Sequence, residues 1–292
     1  MKSVSPSDAI SSAESSTARH MIPMLVRCAI ACLLLGAASG CARYVPTARL
    51  DLVELGAEGI LQRAAEQAGS VSSLLSTGTL QVRTDRGGLT ARCAVLYAEP
   101  DSIRLEVSAA LGTTVIQAVV AGADIQVYIP SERTVVEGTI GADEVLEIGG
   151  IPLELDTLRE LVLGPAIARD WVGLAARVDR LDISPTRIIL GTTQPDGSRL
   201  LLTLGTDLYY QRVDVIDSGG RIVQESHFAD YRRIRRAHLP RVVRVVYPDR
   251  YLELTFEATR QNARPGRKPS DFVLGLPADV RRLPLVPPPS RP

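Results

Sequence analysis

Few residues of this chain have the types and spacing for chemistry. His227 and His238 are the histidines beyond residue 20, and an arginine-rich stretch separates them. No HExxH, paired CxxC, GxSxG or P-loop pattern occurs. A catalytic triad would need one of these imidazoles beside a serine and a carboxylate, and no motif suggests one. The expectation is a protein that is not an enzyme and takes no cofactor. Asp143, Glu144 and Glu147 read as the acidic start of a helix, where carboxylates favour the positive end of the dipole, and not as a metal site. Cys93 lies in Leu-Thr-Ala-Arg-Cys-Ala-Val-Leu-Tyr, a strand-like run, and is expected to be a buried, inert thiol. Arg232, Arg233, Arg235, Arg236, Arg241 and Arg244 form a local basic patch. It is either a solvated turn and strand face or a site for phospholipid head groups. Basic and acidic side chains balance at 33 each, which offers no nucleic-acid surface.

The remaining reactive candidate is Cys41. Residues 21–41 read MIPMLVRCAIACLLLGAASGC. Arg27 supplies a positive n-region, and the apolar run from Cys28 to Ala38 is too short for the roughly 30 Å hydrocarbon core of a bilayer. Small residues Ala38, Ser39 and Gly40 precede the cysteine, which is the form of a secretory signal. With cysteine at the cleavage point the segment resembles a bacterial lipobox, although Ala38 stands where leucine is commoner. That resemblance implies that Cys41 becomes the lipid-modified first residue; the alternative is an ordinary signal peptide with an incidental cysteine. Ala42, not aspartate, follows, so the resemblance implies an anchor in the outer membrane, on its periplasmic face. Cys28 and Cys32 would leave with the signal, and Cys93 alone would remain, which excludes an intramolecular disulfide. No later segment has 18 consecutive apolar residues, so the body is expected to be soluble and held by lipid. The polar residues 1–20 are set aside, with Met21 as the expected start.

What positions any site is a pattern of changing period. From about residue 52 to 75, Leu55, Ile60, Leu61, Ala64, Ala65, Ala68, Val71 and Leu75 recur at helical spacing, with an interruption expected at Gly69. After Thr77 the period becomes two. Ile103, Leu105 and Val107 alternate with polar neighbours, as do Ile125, Val127 and Ile129, and later Leu252, Leu254 and Phe256. About six strands are expected from 77 to 139 and about six more from 186 to 258. Between them, 143–148 and 155–163 read as short helices. This order predicts an α+β fold in which an antiparallel sheet carries helices on one side, with a barrel or sandwich favoured by the turn spacing. Aromatics are 4% of the chain, so the core is aliphatic and suits acyl chains better than sugars or bases.

Several segments, in order, resemble the LolA/LolB family of lipoprotein carriers, and most closely its LolB-like lipoproteins. They are Thr77-Gly-Thr-Leu-Gln-Val-Arg83, Ser102-Ile-Arg-Leu-Glu-Val107 with Ala110-Leu-Gly-Thr-Thr114, Ile125-Gln-Val-Tyr-Ile-Pro130, Leu158-Arg-Glu-Leu-Val-Leu-Gly164 and Leu239-Pro-Arg-Val-Val243. Each motif is short, so their order carries the resemblance, over about residues 57–260. It implies an unclosed antiparallel β-barrel of about eleven strands with a helical lid and an apolar cavity for acyl chains. Ile103, Leu105, Val107, Ile125, Val127, Leu252 and Leu254 would line that cavity. In LolB a Pro-Leu-Gly loop exposes a leucine that helps deliver lipoproteins to the membrane. Ala110-Leu111-Gly112 matches it with alanine for proline, which makes Leu111 the membrane-contact residue, unless it packs beneath the turn.

The organisation expected is a signal region at 1–40, a lipidated N-terminus and tether at 41–56, a lipid-binding domain at 57–277 and a Pro-rich tail at 278–292. Two functions remain open. One is an outer-membrane carrier or receptor whose partners are acyl chains of lipids or lipidated proteins. The other is a periplasmic binding or regulatory module on the same fold, without lipid transfer.

Overall fold

Alternating polarity builds most of this molecule, because a strand with one apolar and one polar side is stable only in a half-buried sheet. A computed structural model describes residues 52–109, 111–139, 145–148, 151–165, 170–263 and 267–285, with 145–156 described by backbone alone. Six strands come first: β1 (Ser73–Thr84), β2 (Gly87–Ala98), β3 (Ser102–Ser108), β4 (Thr114–Ala121), β5 (Asp124–Ile129) and β6 (Thr134–Thr139). A separate two-stranded hairpin, β7 (Val145–Ile148) and β8 (Ile151–Glu154), follows. Seven strands then run on: β9 (Val178–Ile183), β10 (Arg187–Thr193), β11 (Arg199–Gly205), β12 (Tyr210–Ile216), β13 (Ile222–Ile234), β14 (Ala237–Tyr247) and β15 (Leu252–Asn262).

Each block pairs with its sequence neighbours, and the blocks join where β15 lies antiparallel to β1. A short β16 (Arg281–Pro284) runs parallel to β6. The outcome is one sheet of fourteen strands, ordered β16-β6-β5-β4-β3-β2-β1-β15-β14-β13-β12-β11-β10-β9. Its outer members, β16 and β9, do not pair with one another, so the sheet is unclosed. The expected open antiparallel sheet is present, with fourteen strands and not about eleven.

The first helix, α1 (Leu52–Ala68), buries Ile60, Leu61, Ala64 and Ala68. It breaks at Gly56 and ends at Gly69, whose left-handed φ of 69° lets its amide reach the Ala65 carbonyl at 2.9 Å. Helical spacing through Leu75 is therefore misleading: Leu75 belongs to β1, whose start lies earlier than the expected Thr77. Helix α2 (Leu155–Leu163) forms as expected, and a single turn, α3 (Trp171–Leu174), follows. The helix expected over 143–148 is absent. Val145–Ile148 is strand β7, and Glu147 lies in it, while Asp143 and Glu144 lie outside the described residues. Four residues satisfy either period, and pairing with β8 decides the matter. No described helix is long and apolar enough to cross a membrane.

Both faces of β4–β6 carry buried residues. On one of them Val119, Tyr128 and Val135 pack against Phe272 and Leu274 of the C-terminal segment. Arg104 donates to the carbonyls of Asp271 and Val273 at 3.2 and 3.1 Å, and Arg282 pairs with Glu137 at 2.7 Å. Within the segment expected to be a Pro-rich extended tail, Arg281–Pro284 pairs with β6.

Candidate functional site

The pairing register decides which side chains share a face, since a one-residue slip would reverse them all. Tyr97 pairs with Ile103, which pairs with Val120, which pairs with Ile125. In the next row Val95, Leu105, Ala118 and Val127 are partners, and Cys93 and Val107 lead to Ile116. Across β1, Val82 pairs with Leu254, Leu254 with Val245, and Leu252 with Tyr247. All seven residues expected to line an interior therefore lie on one inner face. Ile103, Ile125, Val127, Leu252 and Leu254 are buried in one hydrophobic cluster, Leu105 packs against it half-buried, and Val107 is buried outside it.

Helices cover that face unequally. Ile60, Leu61 and Ala64 of α1, Leu161 and Val162 of α2, and Trp171 join the same cluster. Among the strands of the large sheet, α1 lies chiefly against β14 and β9, and α2 against β14. Over β1–β4 the inner residues Leu80, Leu105 and Ile116 stay partly exposed, and Leu89 is 55% exposed. An apolar strip continuous with the core thus opens towards solvent at the end where β1 turns into β2.

A polar group interrupts the apolar face beneath α2. Glu160 is fully buried; Ser226 Oγ donates to its Oε2 at 2.8 Å, and Gln224 Nε2 lies at 3.5 Å. Thr157 Oγ1 and the Tyr247 hydroxyl share a hydrogen bond of 2.7 Å. Arg159 reaches Asp101 in the β2–β3 turn at 2.6 Å. These bonds fix α2 in rotation as well as position, because a buried carboxylate needs its donors. Sequence reasoning missed this cluster, since Arg159 and Glu160 look alike as a solvated helix pair.

Leu111 is 97% exposed at the tip between β3 and β4. The turn closes through the Ala109 amide on the Thr113 carbonyl at 2.8 Å, and Gly112 adopts a φ of 82°. Register places this tip at the same end as the β1–β2 and β14–β15 turns, where Leu89 and Tyr251, 75% exposed, also project. Cys41 lies outside the described residues.

The remaining candidates have structural settings. Burial pushes the Cys93 thiol up to about 12. His227 lies 3.3 Å from Glu225 on the opposite face, within a charged ladder that includes Arg212, Asp214, Arg244 and Glu253. His238 Nδ1 lies 2.8 Å from the Gln67 carbonyl. The basic patch divides: Arg241 pairs with Asp230 and Glu257, and Arg244 with Glu253, whereas Arg235 and Arg236 project from the β13–β14 turn. No group of three or more His, Cys, Asp or Glu able to hold a metal occurs among the described residues.

No family model matches the sequence. Nor does any curated protein match it. The fold, in contrast, has solved counterparts. A DUF1329-family protein of Desulfovibrio piger superposes with a TM-score of 0.54 at 14% identity, over 74% of this chain and 95% of that one. A domain from Vibrio parahaemolyticus assigned to outer-membrane lipoprotein sorting gives 0.52 at 14% identity, over 75% and 96%. A LolA-superfamily protein of Nitrosomonas europaea gives 0.50 at 17% identity, over 75% and 98%. At these identities the likeness is one of fold, and the chain has the open-sheet fold that these LolA-like and DUF1329 proteins share.

Proposed function

We propose that this protein is an envelope lipoprotein, anchored through Cys41 at the outer membrane, that holds acyl chains of lipidated proteins or lipids against its inner face. It acts as a carrier or receptor in lipoprotein localisation, and not as an enzyme. The carrying observation is the apolar strip of Leu80, Leu105 and Ile116, part-exposed yet packed against the core, with the exposed Leu89 on the same face. Exposed aliphatic surface of that kind is costly in water and is relieved by an acyl chain, at about 0.8 kcal/mol per buried CH₂. The exposed Leu111 at the same end supports membrane contact during transfer. The sorting assignment of the Vibrio domain, carried on the same fold, supports the same reading.

A second reading, a non-transporting binding module, draws on the polar cluster of Glu160, Ser226 and Gln224, which fixes α2 and leaves its half of the face filled. Mass spectrometry of lipids co-purifying with the protein separates the two. Stoichiometric acyl lipid or lipidated peptide is expected for a carrier. Its absence from protein isolated in mild detergent leaves the module.

A further inference from the structure

A pocket of about 340 Å³ opens at the end of the sheet where β13 turns into β14, away from Leu111. Residues 70–73, between α1 and the start of β1, form one wall; Arg235, Arg236 and Ala263 form the rest. The walls are locked together. A Cβ on Gly69 would lie 2.3 Å from the Arg236 carbonyl oxygen, so only glycine permits this approach. The Gln67 carbonyl is engaged by His238, and the Ala65 carbonyl by the Gly69 amide. The last turn of α1 therefore presents few bare acceptors here. Acids lie nearby in space: the Glu99 amide donates to the Ser72 carbonyl at 2.9 Å, and Gln67 Nε2 donates to the Asp207 carbonyl at 2.7 Å.

Two features of the pocket call for an anion. Arg235 and Arg236 are exposed, and among the described residues no ion pair to a carboxylate involves them or Arg233, which donates to the Arg235 carbonyl at 3.1 Å, whereas Arg232, Arg241 and Arg244 are paired. Ser73, in the pocket wall, is 4% exposed, and its Oγ is buried with no hydrogen-bond partner. Buried hydroxyls are seldom left so. Arg235 and Arg236 line the pocket together with Ser70, Ser72 and Ser73, and arginine donates in pairs to the oxygens of a phosphate.

We propose that this pocket binds a phosphate group, supplied by a phospholipid headgroup or by phosphate free in solution. The site stands apart from the inner face and does not depend on acyl binding there. The test titrates inorganic phosphate against chloride at matched ionic strength while following thermal melting. In parallel, flotation compares phosphatidylglycerol-containing vesicles with pure phosphatidylcholine. The variant R235Q/R236Q, which keeps side-chain length, should weaken binding by about tenfold or more while melting like the parent without ligand. Ser73→Ala should also weaken it with stability unchanged or raised, a combination that a purely structural role would not give. Phosphate binding lost in R235Q/R236Q identifies the free anion; vesicle binding lost without any phosphate response identifies the headgroup. Failure of both ligands to bind, or equal binding by parent and R235Q/R236Q, overturns the proposal.

Discussion

At the scale of single residues, the Cys93 thiol gives a direct chemical readout of the inner face. Desolvation raises it from 9.0 to about 12, so at pH 8 its thiolate is about a thousandfold scarcer than that of an ordinary cysteine. A disulfide reagent at pH 8 should label the native protein very slowly and the urea-unfolded protein at once. The unfolded thiol loses its proton from about pH 9 while the folded one keeps it. The folded state then binds more protons, and stability should fall as pH rises from about 9 towards 12, read as a falling urea midpoint. Leu111→Glu should leave the melting temperature nearly unchanged, because exposed substitutions stay within about 0.5 kcal/mol, while lowering association with liposomes. A large fall in melting temperature would put Leu111 in the core. The burial of Cys93 was legible in the sequence, since its run reads as a strand, whereas the exposure of Leu111 was one of two readings left open. Glu160 was not legible: its burial depends on Ser226 and Gln224, more than sixty positions away, and no local pattern carries that.

Elements differ in how far their own sequences specify them. Strands β3, β5 and β15 were readable because each alternates cleanly and the register puts their apolar residues on one face. Strand β7 was read as helix because four residues cannot distinguish the periods. The C-terminal strap was invisible because 267–285 is broken by Pro269, Pro277 and Pro284 and has no period, and its order comes from β6 and from Arg104. Ending the chain at Arg267 should uncover Val119, Tyr128 and Val135, lowering the melting temperature and promoting aggregation in light scattering. Gly78 tests the junction of the two strand blocks. It sits at the register shift between β1 and β15, and a Cβ there would lie 2.1 Å from the Glu257 carbonyl oxygen. Gly78→Ala should cost about 2 kcal/mol or more in urea unfolding, since backbone must move; a neutral result would mean that the junction is looser than its register implies.

The described residues form an open sheet, and their helices cover one part of an apolar face while Leu80, Leu105 and Ile116 stay partly exposed. That architecture followed from the sequence as an element order, helix, strands, helices, strands, and so did six strands in each block; β9 and β16 did not, and β16 is set by its pairing with the distant β6. The central claim is that the part-exposed strip takes an acyl chain. A fluorescent fatty-acyl probe titrated into the protein tests it most directly, with Leu105→Arg as the control on the strip. The account predicts saturable binding, displacement by unlabelled lipid and a loss of about tenfold or more in affinity in a folded Leu105→Arg variant. Absence of saturable binding, or binding that Leu105→Arg leaves unchanged, would contradict it.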